Sequence, residues 1–225
     1  MKKITVLLAE DHVVVREGFR NMLKLEADLQ VIGEAQDGRQ AVALAKKLQP
    51  DVVLMDIAMP HLNGLEATRQ ILTANPAIKI LILSAHNDDA YVDTAIASGA
   101  VGFLLKQSSS HDVCQTIREV QQGKIVFSPV ISRRLNRLQP QSLNRTGLIK
   151  KKVAQLTSRE VEVLQLIAEG KANKETAAEL GIGLKTVEKH REHLMQKLDI
   201  HDTAGLTRYA ISTGVIESSV QLTIV

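Results

Sequence analysis

One cysteine, Cys114, stands in 225 residues, which excludes an internal disulfide framework and suits a reducing compartment. No apolar run approaches the roughly 20 residues that span a bilayer. Met1-Lys2-Lys3 leads straight into a strand-like run without a long apolar leader. These absences point to a soluble, cytoplasmic protein with no membrane partner. No G-x-G-x-x-G follows the first strand-like run, so a dinucleotide-binding domain is not expected. The spacing of His12, His61 and His86 fits no zinc template, and they read as loop residues shaping access to an acidic edge. Cys114 lies in a helix-period segment and reads as buried packing. Acidic residues are missing altogether from Val120 through Arg159, where eight Lys or Arg fall between Lys124 and Lys152.

What is present has ordinary globular proportions, with 44% hydrophobic and 24% charged residues, and the length is comfortable for two domains. The overall charge of +3 hides an asymmetry: residues 1–122 carry 12 Lys and Arg against 15 Asp and Glu, a net −3, which leaves +6 for the remainder. A basic second half suits a polyanion such as nucleic acid, although a basic but idle surface would look the same by charge alone.

Short apolar runs start near residues 4, 29, 51, 79 and 101, separated by amphipathic segments over 14–25, 40–48, 65–73, 90–98 and 113–121. Five βα units predict a doubly wound parallel sheet with helices on both faces. Ligands of such sheets sit at the carboxyl ends of the strands. There the runs deliver Glu10 and Asp11, then Asp56, Ser84 and Lys106. Three carboxylates a few ångströms apart repel by roughly 4 kcal/mol per pair at an effective dielectric of about 20, which a bound cation relieves. Hard oxygen ligands suit Mg²⁺, Lys106 supplies a fixed positive charge and Ser84 a neutral donor, so the edge fits an incoming phosphoryl group. Asp56, closing the run from Asp51, is then the nucleophile that becomes an acyl phosphate. A dehalogenase-type phosphatase also phosphorylates a strand-end aspartate, but it needs a second aspartate two residues on, where this chain has Ala58.

Past Gln122 the pattern breaks, and residues 123–152 read as a basic linker with one short helix over 130–138. In the domain expected over 153–225, Thr157-Ser158-Arg159-Glu160 forms a capping box that opens one helix. A second helix spans 173–180 and stops at Gly181, a third spans 184–198, and a fourth is capped by Asp202 and ends around Gly214. Two short helices joined by Gly181-Ile182-Gly183 make a helix-turn-helix. In the third helix Val187, Leu194 and Leu198 share the core stripe, so Lys185, Glu188, Lys189, Glu192 and Gln196 point outward with Arg191 on the flank. Such residues read bases in a major groove of double-stranded DNA, while Thr186 and Arg191 suit phosphates. On the fourth helix Leu206, Tyr209 and Ala210 form a stripe that either pairs two DNA-bound subunits or packs within its own domain.

The first domain resembles a response-regulator receiver, and the whole chain resembles the NarL/FixJ family with a LuxR-type helix-turn-helix. The resemblance rests on Glu10-Asp11, Met55-Asp56, Met59-Pro60, Asn63-Gly64, Ser84-Ala85 and Lys106, and on 156–160 with Lys185-Thr186-Val187-Glu188-Lys189-His190. It implies that Asp56 is the phosphoacceptor, and that Glu10 and Asp11 hold Mg²⁺ with the backbone carbonyl of Ala58. It further implies that Ser84 and Phe103 form a switch pair. The expected function is control of transcription through phosphorylation of Asp56 by a sensor histidine kinase, with a homodimer on DNA and RNA polymerase as a further partner. A DNA-binding regulator independent of phosphorylation is the alternative. The chain departs from the family pattern at Gly183, where a serine or threonine cap is usual, and at Thr176, where an aliphatic is usual.

Overall fold

The computed structural model describes residues 2–85, 89–127 and 156–216, the backbone alone for 89–91. The chain divides into two compact units between Gln141 and Ser142. In the first, β1 (Ile4–Ala9), β2 (Leu29–Ala35), β3 (Val52–Asp56), β4 (Lys79–Ser84) and β5 (Gly102–Leu105) alternate with α1 (Val13–Lys24), α2 (Gly38–Leu48), α3 (Gly64–Ala74), α4 (Asp89–Ala97) and α5 (Ser110–Gln121). The doubly wound parallel sheet expected from the run spacing is present. It has one strand more: β6 (Val126–Phe127) pairs in parallel with β5, giving the order β2-β1-β3-β4-β5-β6. The residues from Gly123 to Phe127, expected in the linker, therefore belong to the first unit. A two-residue edge strand has no alternation to betray it, which is why the periodic pattern stops at Gln122. The short helix expected over 130–138, the rest of the linker to residue 152 and residues 153–155 lie outside the described residues, as does His86.

Apolar side chains of the central strands point alternately to two layers. One contains Leu7, Val53, Met55, Ile80, Ile82 and Phe103; the other contains Val6, Leu8, Val52, Leu54, Leu81 and Leu83. Burial on both faces explains why β3 and β4 read as continuous apolar runs. After β1 the chain winds to one side of the sheet and after β3 to the other, so the ends of these adjacent strands face the crevice of the switch point.

The second unit holds α6 (Ser158–Ala168), α7 (Asn173–Leu180), α8 (Leu184–Leu198) and α9 (Thr203–Ser212), with the helix limits close to those read from the sequence. The Thr157 capping box is formed: the Glu160 N–H donates to Thr157 Oγ1 at 3.3 Å and the Thr157 N–H to Glu160 Oε2 at 2.7 Å. Gly181 closes α7 in the left-handed conformation, φ 62°, which glycine adopts without a Cβ penalty. The core joins Leu164 and Ile167 of α6 to Leu194 and Leu198 of α8 and to Leu206 and Ala210 of α9. Among the described residues, no helix is long and apolar enough to cross a membrane.

Candidate functional site

Glu10 and Asp11 leave β1 at the switch point, and their main chain is held from two sides. The Glu10 N–H donates to the Ala35 carbonyl at 3.0 Å. The Glu10 carbonyl accepts from Arg16 Nη1 at 2.7 Å, and the same nitrogen reaches the Asp11 carbonyl at 3.4 Å. Arg16 is 6% exposed and donates through Nε to Glu34 Oε2 at 3.2 Å, so its charge is paired as well as buried. Asp56 is the last residue of β3, and the chain beyond it loops back to α3. Gly64 lets that return approach closely: a Cβ there would stand 1.8 Å from the Asp56 carbonyl oxygen. The Gly64 N–H donates to the Ile57 carbonyl at 2.9 Å, and Asn63 caps α3 by accepting from the Glu66 N–H at 2.9 Å.

Lys106 follows β5, where its N–H donates to the Ser84 carbonyl at 2.8 Å. Its Nζ lies 2.8 Å from Glu10 Oε2 and 3.0 Å from Asp56 Oδ2. The structure thus brings together Glu10, Asp11, Asp56 and Lys106, as the sequence led one to expect. Burial, then the neighbouring Glu10, push the Asp56 carboxyl up to about 6 against the opposing pull of Lys106. Burial works against the Lys106 charge, but Asp56 and Glu10 outweigh it and hold the ammonium above its ordinary value. Ser84 is buried at the end of β4, paired with Leu105. Phe103 is fully buried in the apolar layer that contains Ile80 and Ile82. Ala58 is half-buried in the loop that follows β3.

The donor set fits a hard divalent cation. Glu10 Oε2, Asp11 Oδ1 and Asp56 Oδ2 are buried oxygens, the first and last beside Lys106 Nζ and the second beside the His12 ring. One ammonium among three carboxylates leaves the pocket short of positive charge. Carboxylate oxygens from Glu10, Asp11 and Asp56, with a nitrogen of His12, all lie within 4.8 Å of one another.

Arg16, Glu34, Gly64 and the His12 ring were not singled out as site residues from the sequence. Arg16 did leave a signal, since it shares the helical stripe of Phe19 and Leu23, both packed in the core layer. A lone arginine on an apolar stripe, one turn from two acids, invites a search for a buried partner.

In the second unit Lys185, Thr186, Glu188, Lys189 and Glu192 are exposed on α8, while Val187, Leu194 and Leu198 are buried beneath them. Arg191 lies half-buried on the flank of α8, and its guanidinium donates to Asn173 Oδ1 at 3.2 Å and to Thr203 Oγ1 at 2.7 Å. Lys197 Nζ donates to Glu160 Oε2 at 2.7 Å, and Arg159 Nη2 to the Leu180 carbonyl at 2.7 Å. The bonds of Arg191 and Lys197 fix α8 against α7, the start of α9 and α6, and that of Arg159 ties α6 to the end of α7. On α9 two of the three residues expected to pair subunits lie inside the domain instead. Leu206 and Ala210 are fully buried in the domain's own core, and Tyr209 packs against it with its hydroxyl oxygen covered. Residues four apart on one face of a helix meet the same neighbour, and here that neighbour is α6.

Residues 6–118 match the response regulator receiver domain family, and residues 154–210 match the bacterial regulatory proteins of the luxR family. The transcriptional regulatory protein LiaR of Bacillus subtilis (strain 168) is 41% identical over 208 residues, 92% of this chain and 96% of that protein. The response regulator protein VraR of Staphylococcus aureus (strain NCTC 8325 / PS 47) is 36% identical over 215 residues, 95% of this chain and 99% of that protein. The structure of RcsB from Salmonella enterica serovar Typhimurium bound to promoter rprA, with a phosphomimetic, aligns over 92% of this chain and 98% of that one. Its TM-score is 0.58 at 26% identity. A structure of two RcsB dimers bound to two parallel DNAs aligns over 94% and 99%, at TM-score 0.57 and 26% identity. With an acidic pocket at the sheet's switch point and a helix-turn-helix bearing an exposed charged helix, the chain belongs to the two-component response regulators that control transcription, a receiver joined to a LuxR-type DNA-binding domain.

Proposed function

We propose that Asp56 is the phosphoacceptor and that its phosphorylation by a sensor histidine kinase governs DNA binding through α8. The observation that carries this reading is the placement of Lys106 Nζ, 3.0 Å from Asp56 Oδ2 and 2.8 Å from Glu10 Oε2, as the ammonium beside the carboxylates of Glu10, Asp11 and Asp56. An Asp56 carboxylate oxygen attacks phosphorus, the bond from phosphorus to the donor's imidazole nitrogen breaks, and the imidazole leaves with the electron pair. Lys106 holds positive charge where the phosphoryl oxygens arrive. Glu10, Asp11, Asp56 and the Ala58 carbonyl would hold Mg²⁺, which when bound offsets negative charge and polarises the phosphoryl group. Ser84 and Phe103 are the proposed switch pair, Ser84 donating to the new phosphoryl oxygens. The receiver's chemistry is confined to its own phosphorylation and hydrolysis.

Lys185, Glu188, Lys189 and Glu192 would contact bases, with Thr186 and Arg191 on phosphates; Arg191 also holds α8 through Asn173 and Thr203. The protein would act in the cytoplasm as a homodimer on double-stranded DNA, with RNA polymerase as a further partner. The structure of RcsB dimers on DNA supports the pairing. The domain limits proposed are a receiver to residue 127, a basic linker to 152, and the DNA-binding domain from 153.

Acetyl phosphate with Mg²⁺ should add one phosphoryl group to the intact mass, and omission of the cation or Asp56→Ala should abolish the addition. Unchanged labelling of Asp56→Ala would refute the assignment.

A further inference from the structure

The His12 ring was set aside in the sequence because its spacing fits no zinc template, yet the fold brings it into the acidic pocket. Its Nδ1 lies 2.9 Å from Asp11 Oδ1 and 3.1 Å from Glu10 Oε1. His12 is the N-cap residue of α1, but the ring makes no capping hydrogen bond; it is held by the hydrogen bond to Glu10 Oε1, to which the His12 backbone N–H also donates at 3.2 Å. Donors in adjacent positions around a six-coordinate ion with bonds of about 2.1 Å stand about 3 Å apart, which is the spacing of this nitrogen from its two oxygens. Glu10 and Asp56 are each 2% exposed and direct oxygens into the same space, where Lys106 Nζ is their shared cation. A carboxylate set buried at Glu10 and Asp56 and half-buried at Asp11 therefore meets one imidazole at its open rim, where the His12 side chain is 67% exposed.

We propose that His12 is the nitrogen ligand of a mixed nitrogen and oxygen centre, through which the pocket takes late first-row transition ions such as Zn²⁺ or Co²⁺. Imidazole suits these ions, whereas Mg²⁺ takes oxygen ligands and keeps its waters. His12 is thus a selectivity residue: it adds affinity for the softer ion and leaves Mg²⁺ untouched. This rests on the reading that the acidic pocket holds a cation. Oxygen sites also rank Zn²⁺ above Mg²⁺, so the difference between variants, not the absolute affinity, decides the matter.

The test is calorimetric titration of the tag-free full chain with Zn²⁺, Co²⁺ and Mg²⁺ at one fixed pH, for the natural protein and for His12→Ala and His12→Gln. The exposed ring can be removed without hollowing a core, which a thermal melt of each variant checks. We expect the Zn²⁺ and Co²⁺ dissociation constants to rise at least tenfold in both variants and that for Mg²⁺ to stay within twofold. The visible spectrum of bound Co²⁺ should shift as the nitrogen donor is lost. Equal Zn²⁺ affinity with and without His12 overturns the proposal and leaves the Mg²⁺ reading intact. So does Zn²⁺ binding that survives Asp11→Asn with Asp56→Asn, since it would then belong to other histidines. Failure of the natural chain to bind any of the three ions overturns both readings.

Discussion

Asp56 and Lys189 occupy opposite environments. Asp56 is 2% exposed, ion-paired to Lys106 and backed by a loop that Gly64 pins beneath it. Lys189 is exposed on α8, above a layer of Val187 and Leu194 that would pack the same way whatever residue stood at 189. Charges buried at a strand end need neighbours, so the receiver pocket is wired into the fold: Arg16 holds the chain of Glu10 and Asp11, and Lys106 holds the side chains of Glu10 and Asp56. The exposed charged residues of α8 stand in water and need none. Chemistry in the pocket is therefore coupled to stability, whereas sequence choice on α8 is separable from it.

The largest effect should come from Gly64→Ala. A Cβ there meets the Asp56 carbonyl at 1.8 Å, and backbone cannot swing aside as a side chain can. The fold should lose about 3 kcal/mol, and labelling by acetyl phosphate should fall with it, read by chemical denaturation and intact mass. Arg16→Ala should follow at roughly 2 to 3 kcal/mol, because Glu34 and the Glu10 carbonyl lose their shared partner. Lys189→Ala should sharpen the contrast: about 1 to 3 kcal/mol lost on the preferred DNA site, much less on random DNA, and no change in the melt. A fall in the melting temperature of Lys189→Ala would break the comparison.

This division also sets what was legible in the sequence. Strand-end acids and the lysine stood out because a buried run ending in charge has few explanations, and α8 because its apolar stripe leaves its other face defined by subtraction. Partners distant in sequence were not legible. Arg16 finds Glu34 and the carbonyl of Glu10 only once β1 and β2 lie side by side, and nothing local to Arg16 names them. The stripe Leu206, Tyr209 and Ala210 shows the reverse failure. Periodicity marks a buried face but not whether its own domain or a second subunit covers it, and here α6 does.

A smaller effect should appear with pH in the second domain. Burial pushes the Glu160 carboxyl up, but hydrogen bonds from Lys197 and from the Thr157 N–H outweigh it and hold it below the ordinary range. A depressed folded value means that the contribution is fully present above the unfolded value of about 4.3 and is lost as pH falls through the folded one. Glu160→Gln should cost about 1 kcal/mol at pH 7 and progressively less below pH 4, read by denaturation at each pH. An equal cost at both ends of that range would mean that shape rather than charge holds the capping box.

The smallest effect should have the opposite sign. Thr176 on α7 is fully buried, and its Oγ1 accepts and donates no hydrogen bond. A hydroxyl taken out of water without a partner costs about 1 to 3 kcal/mol, and valine fills nearly the same volume without that cost. Thr176→Val should therefore raise the stability of the second domain by about 1 kcal/mol, a gain of a few degrees in its melt. The site lies on the helix that supports α8, and α8 stays anchored through Arg191 to Asn173 at the start of α7. Affinity and salt dependence on DNA should then match the natural protein. If Thr176→Val is more stable but binds DNA less tightly, the hydroxyl serves the placement of α8, and the separation of stability from sequence choice fails at this point.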